Sequence, residues 1–171
     1  MAFDVEPAAE RLSVRLGDRF EILANEPEGG FRSSGAEAYR AIDRHYPSEP
    51  CLALLCEPGV PPRMAMLEPL AALRDEALLK LLGWGVVDWP PRGRRCFALV
   101  FERPESRVVS SLADDFAPLA EDDILANLLP PAMAALKALF DSGYTHRAIR
   151  PTNLFYQGTG RQLLLGESHH H

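Results

Sequence analysis

The first hundred residues of this chain are a series of short apolar runs separated by turn residues, and this pattern limits them to a β-rich unit. Residues 19–24 alternate enough to suit a strand, and residues 38–43 suit a returning strand. Between them, residues 25–35 are rich in Gly, Pro, Ser and Asn, as a turn should be. Residues 51–56 form a short apolar run between two prolines, which fits a buried strand.

A helix and a hairpin complete this first half. Apolar residues recur at helical spacing between positions 67 and 82, which predicts a helix there, followed by a strand through Val86 and Val87. Residues 96–101 are the most strand-like run in the chain, and residues 90–95 supply a turn before it. We therefore expect this run to form a hairpin with the strand that precedes the turn.

The chain becomes helical after a linker at residues 103–111. Residues 122–140 have the apolar pattern of a helix, with two aspartates placed to cap its start and Gly143 suited to its end. The prolines at positions 130 and 131 predict a kink or two consecutive helices. The strand-like pieces that follow are residues 153–156 and 162–165.

Composition excludes several classes of protein. Hydrophobic residues make up 47% and charged residues 25%, as in soluble globular proteins. The net charge of −6 argues against a nucleic-acid partner, since phosphate binding needs basic residues in excess. The longest apolar candidate, residues 67–82, is broken by charged residues, and the first ten residues lack a signal-peptide pattern, so we expect no membrane association and a cytoplasmic location. The three cysteines suit buried, reduced thiols.

Residues 143–155 resemble the catalytic loop of protein kinases, His-Arg-Asp-Leu-Lys-Pro-x-Asn. The residues of this chain that match the loop, or stand at its positions, are His146, Arg147, Arg150, Pro151, Asn153 and Leu154. In the order the family requires, residues 19–23 and 38–43 are similar to the first two strands of bacterial serine/threonine kinases. Residues 99–102 are similar to the fifth strand, which runs into the hinge.

The resemblance implies an α+β, protein-kinase-like fold. Its small lobe would hold an antiparallel five-stranded sheet with one helix. A truncated, mainly helical large lobe would follow and end near the catalytic-loop hairpin. The implied organisation is an N-terminal extension at residues 1–18, a small lobe at 19–102, a hinge or linker at 103–111, a partial large lobe at 112–168 and the remnant of an affinity tag at 169–171.

Several residues that phosphoryl transfer needs are replaced. A kinase uses a third-strand lysine paired with a helix glutamate, a catalytic-loop aspartate, and an aspartate and an asparagine that hold Mg²⁺. The resemblance places Leu55 at the lysine, Ala148 at the catalytic aspartate and Gly166 at the metal-binding aspartate. The loop from Glu28 to Gly35 also departs from the Gly-x-Gly-x-x-Gly pattern. We therefore expect a pseudokinase, with no catalytic residue, no metal site and neither ATP nor Mg²⁺ as a required cofactor.

Residual nucleotide binding stays open as an alternative. The resemblance places Phe101 at the back of the nucleotide pocket and Glu102 and Arg103 in the hinge that would meet the base. Asn153 or Glu167 could in principle hold a metal, although Asn153 better suits a role in supporting the loop. Lys80, the only lysine of the small lobe, could replace the missing one, but its position favours a solvated side chain.

Three functions follow from these observations. The first is a regulatory or scaffolding protein-interaction module of bacterial signalling, the second a nucleotide-binding switch without turnover, and the third an atypical nucleotide-transferring enzyme. The large-lobe helix carries more apolar residues than one helix normally leaves facing water, which predicts self-association or a protein partner there. These residues are Leu125, Leu128, Leu129, Met133, Leu136 and Leu139.

Overall fold

A six-stranded sheet forms the first half of the protein, and a long helix with a small sheet forms the second. The computed structural model describes residues 12–31, 35–60, 62–107, 120–149, 153–157 and 162–166. The strands of the large sheet are β1 (Ser13–Leu16), β2 (Phe20–Pro27), β3 (Ala36–Asp43), β4 (Pro50–Cys56), β5 (Leu81–Trp89) and β6 (Arg94–Glu102). The small sheet holds β7 (Ser106–Arg107), β8 (Leu154–Gln157) and β9 (Gln162–Leu165). The helices are α1 (Met64–Ala72) and α2 (Glu121–Asp141).

The large sheet is antiparallel and has the order β1-β2-β3-β4-β6-β5. It confirms the predicted antiparallel small lobe and adds one strand. That strand is β1, which lies in the predicted N-terminal extension and pairs with β2, so the sheet begins before residue 19. Two glycines of β5 let the opposite end of the sheet approach closely. A Cβ on Gly83 would lie 2.6 Å from the Phe20 ring, and one on Gly85 would lie 2.8 Å from Leu16.

Alternate residues of the strands build two separate cores. On β4, Cys51, Ala53 and Leu55 belong to a core made by the sheet strands themselves. Leu52 and Leu54, on the opposite face, belong to a second core that also includes residues of α1, α2, β8 and β9. This second core is shared by both halves of the protein, because it extends from the sheet through α1 to Leu139, Phe155 and Leu165.

The helix predicted at residues 67–82 is shorter and begins earlier, at Met64–Ala72. Leu73 is already extended, and the Asp75 carboxylate accepts a hydrogen bond from the Ala77 N–H at 2.8 Å. The apolar residues beyond this turn pair with β9 instead of continuing the helix. Leu165 donates its N–H to the Ala77 carbonyl at 2.7 Å and accepts the Leu79 N–H at 2.8 Å. The helical spacing of these leucines was therefore misleading.

Helix α2 follows the predicted pattern in outline. It changes from a π-helical turn, Ile124–Leu128, to a regular α-helix, Leu129–Asp141, at the two prolines, and Gly143 follows its end with φ +83°. The capping prediction was wrong, since Ala120 occupies the N-cap and no side chain caps the helix. By length and composition alone α2 could cross a membrane, which the sequence analysis did not single out; one such helix is weak evidence.

The three cysteines are buried, which confirms their predicted environment. Burial raises the pKa of the Cys51 thiol to about 11 and that of the Cys56 thiol to about 12. Both side chains are therefore neutral at physiological pH and act as small apolar groups in the sheet.

A partly buried ion pair joins the turn after β1 to the end of β3. The Arg19 guanidinium donates to both Asp43 carboxylate oxygens, at 3.0 and 2.7 Å, and the His45 backbone N–H donates to the same carboxylate at 3.0 Å. Asp43 is only 2% exposed. The hydrogen bond from Arg19 lowers the pKa of Asp43, and the His45 N–H adds to this effect.

Replacing Asp43 with Asn should lower the free energy of unfolding by about 1–3 kcal/mol at neutral pH, because it leaves Arg19 without its counter-charge. Since the folded-state pKa of Asp43 is depressed, its contribution is complete above the unfolded pKa and is lost as pH falls. The difference between the two proteins in urea titrations should therefore begin to shrink near pH 4 and should disappear only below the depressed folded-state pKa of Asp43. Glu26→Gln, at an exposed pair with Arg40, is the control and should change little. A difference independent of pH would contradict the prediction.

Candidate functional site

The strand β4 presents aliphatic side chains where the resemblance requires a lysine. Leu55, which was predicted to occupy that place, lies in the core on the face away from α1. A lysine that pairs with a helix glutamate must lie on the face that meets the helix, where Leu54 stands opposite Leu99 of β6. Leu54 is therefore the better candidate for the position, and it is 2% exposed.

Helix α1 offers no acidic partner to this face. It buries Met66, Leu67 and Leu70 against the sheet, while its one acidic residue, Glu68, is exposed to solvent. The space between α1 and β4 is consequently filled with apolar side chains of the shared core. Lys80 is exposed as well, and its backbone flanks the hinge by exchanging hydrogen bonds with Glu102.

The residues of the catalytic-loop motif form a closed ring of hydrogen bonds. The Ala148 N–H donates to Nδ1 of His146 at 3.3 Å, so Nε2 of His146 carries the proton and donates to the Gly166 carbonyl at 3.1 Å. The Gly166 N–H donates to the Asn153 carbonyl at 2.9 Å, and the Asn153 side-chain amide donates to the Ala148 carbonyl at 2.8 Å. His146 and Asn153 are 2% and 1% exposed. Their side chains therefore fasten the loop to β8 and to the end of β9.

Gly166 lies at this ring, where the neighbouring side chains leave little space beside its backbone. A Cβ built at this position would collide with Oδ1 of Asn153 and would lie 2.6 Å from the Phe155 ring. Both contacts are far tighter than real side-chain contacts allow. A side chain at the position that the resemblance gives to the metal-binding aspartate would therefore require Asn153 and Phe155 to move.

The other loop residues are only partly described. Arg147 is exposed, has a left-handed backbone with φ +60°, and donates from Nε to the Thr145 hydroxyl at 3.1 Å. Arg150, Pro151 and Glu167 lie outside the described residues. Among the residues that are described, no three His, Cys, Asp or Glu side chains are grouped as a metal site would require.

The backbone N–H groups of the hinge donate hydrogen bonds to carbonyl groups elsewhere in the protein. The Glu102 N–H donates to the Lys80 carbonyl at 3.1 Å, and the Arg103 N–H donates to the Pro50 carbonyl at 3.0 Å. Pro104 has no N–H, and the Glu105 N–H donates to the Tyr156 carbonyl at 3.2 Å. Over residues 102–105, all within the described part of the chain, each backbone N–H is therefore already engaged. Phe101 is fully buried behind this segment.

An aromatic side chain lies between the hinge and the catalytic-loop hairpin, which the sequence analysis did not foresee. The ring of Phe31 stacks on Phe155 with centroids 5.9 Å apart, and the Arg103 guanidinium lies 4.8 Å from the centre of the Phe31 ring. Arg103 also donates from Nε and Nη2 to both carboxylate oxygens of Glu28, at 3.1 and 3.2 Å. The only sequence signal was an aromatic residue in a glycine-containing turn, and turns carry such residues for many reasons.

Comparisons of the whole structure find protein kinase domains. A mutant of the Mycobacterium tuberculosis PknI kinase domain aligns with a TM-score of 0.72 and 17% identity, over 98% of this chain and 62% of that one. The apo form of PpkA-294 aligns with a TM-score of 0.65 and 18% identity, over 90% and 59%. Rad53 1-466 in complex with AMP-PNP aligns with a TM-score of 0.63 and 17% identity, over 87% and 38%.

The chain thus spans less than two thirds of the length of these solved structures. No known family profile and no curated protein sequence matches it. At identities below a fifth, the likeness concerns the arrangement of the backbone and not the chemistry of the cleft. The order of the strands, the loop of His146 and Asn153 and these alignments agree on one conclusion: the protein has a protein-kinase-like fold.

Proposed function

We propose that the protein is a catalytically inactive, kinase-like module that acts through protein interactions in bacterial signalling, as a regulator or a scaffold. The main support for this proposal is the packing around Gly166. A kinase places a metal-binding carboxylate there, whereas here the space beside the backbone is filled by Asn153 and Phe155. A triphosphate would find no fixed carboxylate for its magnesium at this position.

Two further positions support inactivity. Ala148, at the place of the catalytic aspartate, is buried and can accept no proton from a substrate hydroxyl. Loss of a positioned general base alone typically lowers a rate by about 10²–10⁴. On β4, Leu54 offers no charge to the phosphates of a nucleotide. These deficits concern different steps of phosphoryl transfer, so restoring one residue would not restore the reaction.

The hinge argues against the alternative of a nucleotide-binding switch. A purine base in a kinase cleft needs backbone hydrogen bonds from the hinge, and here the N–H groups of residues 102, 103 and 105 already donate within the protein. Pro104 contributes none. Binding of a nucleotide would therefore break existing hydrogen bonds or leave the polar edge of the base unpaired, and either costs free energy.

We propose that α2 provides the interaction surface. Leu125, Leu129, Met133 and Phe140 are 56%, 40%, 66% and 72% exposed on it. A groove of about 440 Å³ runs beside Phe140 and is lined by Leu136, Lys137, Phe140, Ile149 and the segment 144–147. Leu139, included in the predicted surface, is instead buried in the shared core.

We assign α2 to a soluble, cytoplasmic module and not to a membrane. Ala135 and Leu139 anchor the helix in the core shared with the sheet, and three acidic residues form its first turn. A second copy of the protein, or a protein partner, would cover the apolar face of α2 and shield it from water.

Replacing Gly166 with Ala should destabilise the fold by about 2–4 kcal/mol, because the added methyl group would displace Asn153 and open the hydrogen-bonded ring. Gly30→Ala is the matched control, since a Cβ there meets nothing within 4 Å, and it should change the free energy of unfolding by less than about 1 kcal/mol. Chemical denaturation measures both. Equal effects of the two substitutions would show that position 166 has room for a side chain.

Millimolar ATP with Mg²⁺ should leave the melting temperature of the protein unchanged within error. A ligand present at 100 times its Kd would stabilise the fold by about 2.7 kcal/mol and would be seen easily. Isothermal titration calorimetry provides an independent check. A saturable, magnesium-dependent increase would favour the nucleotide-switch alternative over the inactive module.

The variant Met133→Glu/Phe140→Glu should reduce self-association, because it places two charges on the exposed face of α2. The control is Val86→Glu, which changes a residue of similar exposure (51%) on β5. Light scattering at high concentration should show a smaller mean mass for the α2 variant only. If the wild-type protein stays monomeric at all concentrations, α2 does not mediate self-association, and its partner would be a different protein. If the α2 variant then binds that partner as tightly as the wild type does, α2 is not the interaction surface.

A further inference from the structure

The loop after β2 packs between the hinge and the catalytic-loop hairpin, where the two halves of the protein meet. Its residues Glu28 and Phe31 contribute the two chemical groups that the cleft holds, a carboxylate and an aromatic ring. The loop is compact, since Gly29–Phe31 form a 3-10 turn and the Phe31 N–H donates to the Glu28 carbonyl at 2.8 Å. Both groups therefore arrive from the same short segment.

Arg103 recognises both groups at once. The edge of its guanidinium donates two hydrogen bonds to the Glu28 carboxylate, while its face lies over the ring of Phe31 at 4.8 Å. Bidentate pairing and stacking are geometries that arginine can combine and lysine cannot. Arg103 is itself fixed, because its backbone N–H donates to the Pro50 carbonyl.

Phe155 supplies the opposite wall of this cleft. It is 3% exposed and belongs to the shared core, together with Leu52 and Phe101. Phe31 packs against this core from outside and remains partly exposed. The site thus has the Phe155 ring on one side and the Arg103 guanidinium at its edge. Phe31, which lies between them, reaches solvent, so its removal would leave the buried core in place.

We propose that the cleft is a binding site for an aromatic carboxylate and that residues 28–31 occupy it from within. The external ligand would be a small molecule that presents an aryl ring and a carboxylate at similar spacing. This inference deepens the proposed function and rests on it, because a cleft used for ATP would not serve this ligand. Binding would release the loop, and the partner would sense that change.

The test uses the variant Glu28→Gln/Phe31→Ala, which removes the internal occupant and keeps its receptor. The probe is 3-phenylpropionate, compared with the neutral 3-phenylpropanamide, in ligand-detected saturation-transfer NMR. The acid should bind the variant with a Kd on the order of 1 mM. It should bind roughly tenfold more tightly than the amide, because Arg103 recognises its charge. Adding Arg103→Gln should abolish that preference.

Wild-type protein is the matched control and should bind the acid at least about tenfold more weakly, since its own loop must first leave. Equal binding to wild type and variant, or no binding to a folded variant, would overturn the inference. If circular dichroism shows that the variant is unfolded, Arg103→Gln alone is used. It should accelerate hydrogen exchange at the Phe31 amide, and unchanged exchange would then reject the site. The ATP titration is separate, so failure here leaves the inactive-module proposal standing.

Discussion

The apolar core shared by the sheet, α1, α2 and the small sheet holds the two halves of the protein together. Leu165 is its central member, because its side chain is buried there while its backbone pairs with both Ala77 and Leu79 of the small lobe. The two halves are therefore joined by apolar burial and by backbone hydrogen bonds. Both kinds of interaction are made by the chain's own residues.

Two positions at which the resemblance expects charged side chains, 54 and 166, lie in or beside this core. A lysine in place of Leu54 would be buried opposite Met66 and Leu67, with Glu68 turned to solvent, and an unpaired buried ammonium is costly. An aspartate in place of Gly166 would collide with Asn153. A charged residue introduced at either position would therefore disturb the packing of this interior.

The sequence predicted most of the strands and the loop motif, because strand periodicity and a spaced motif are local signals, but it missed β1 and β7. It misplaced α1, since the leucines at positions 78 and 79 follow helical spacing but pair with β9, and pairing with a distant strand leaves no local trace. It assigned the lysine position to Leu55 because counting along a strand cannot tell which face meets the helix. It missed the contact of Phe31 with Phe155, which joins residues more than a hundred positions apart.

The persistence of His146 and Asn153 in a loop without its aspartate follows from what these side chains contact. Each makes hydrogen bonds to backbone groups of the loop or of the end of β9, and each is nearly inaccessible to solvent. Removing either would leave buried peptide groups unpaired, at a cost of about 1–3 kcal/mol for each group. His146 and Asn153 are therefore side chains that the fold itself requires. In this chain the motif identifies an architecture, and the chemistry has to be judged from Ala148 and Gly166.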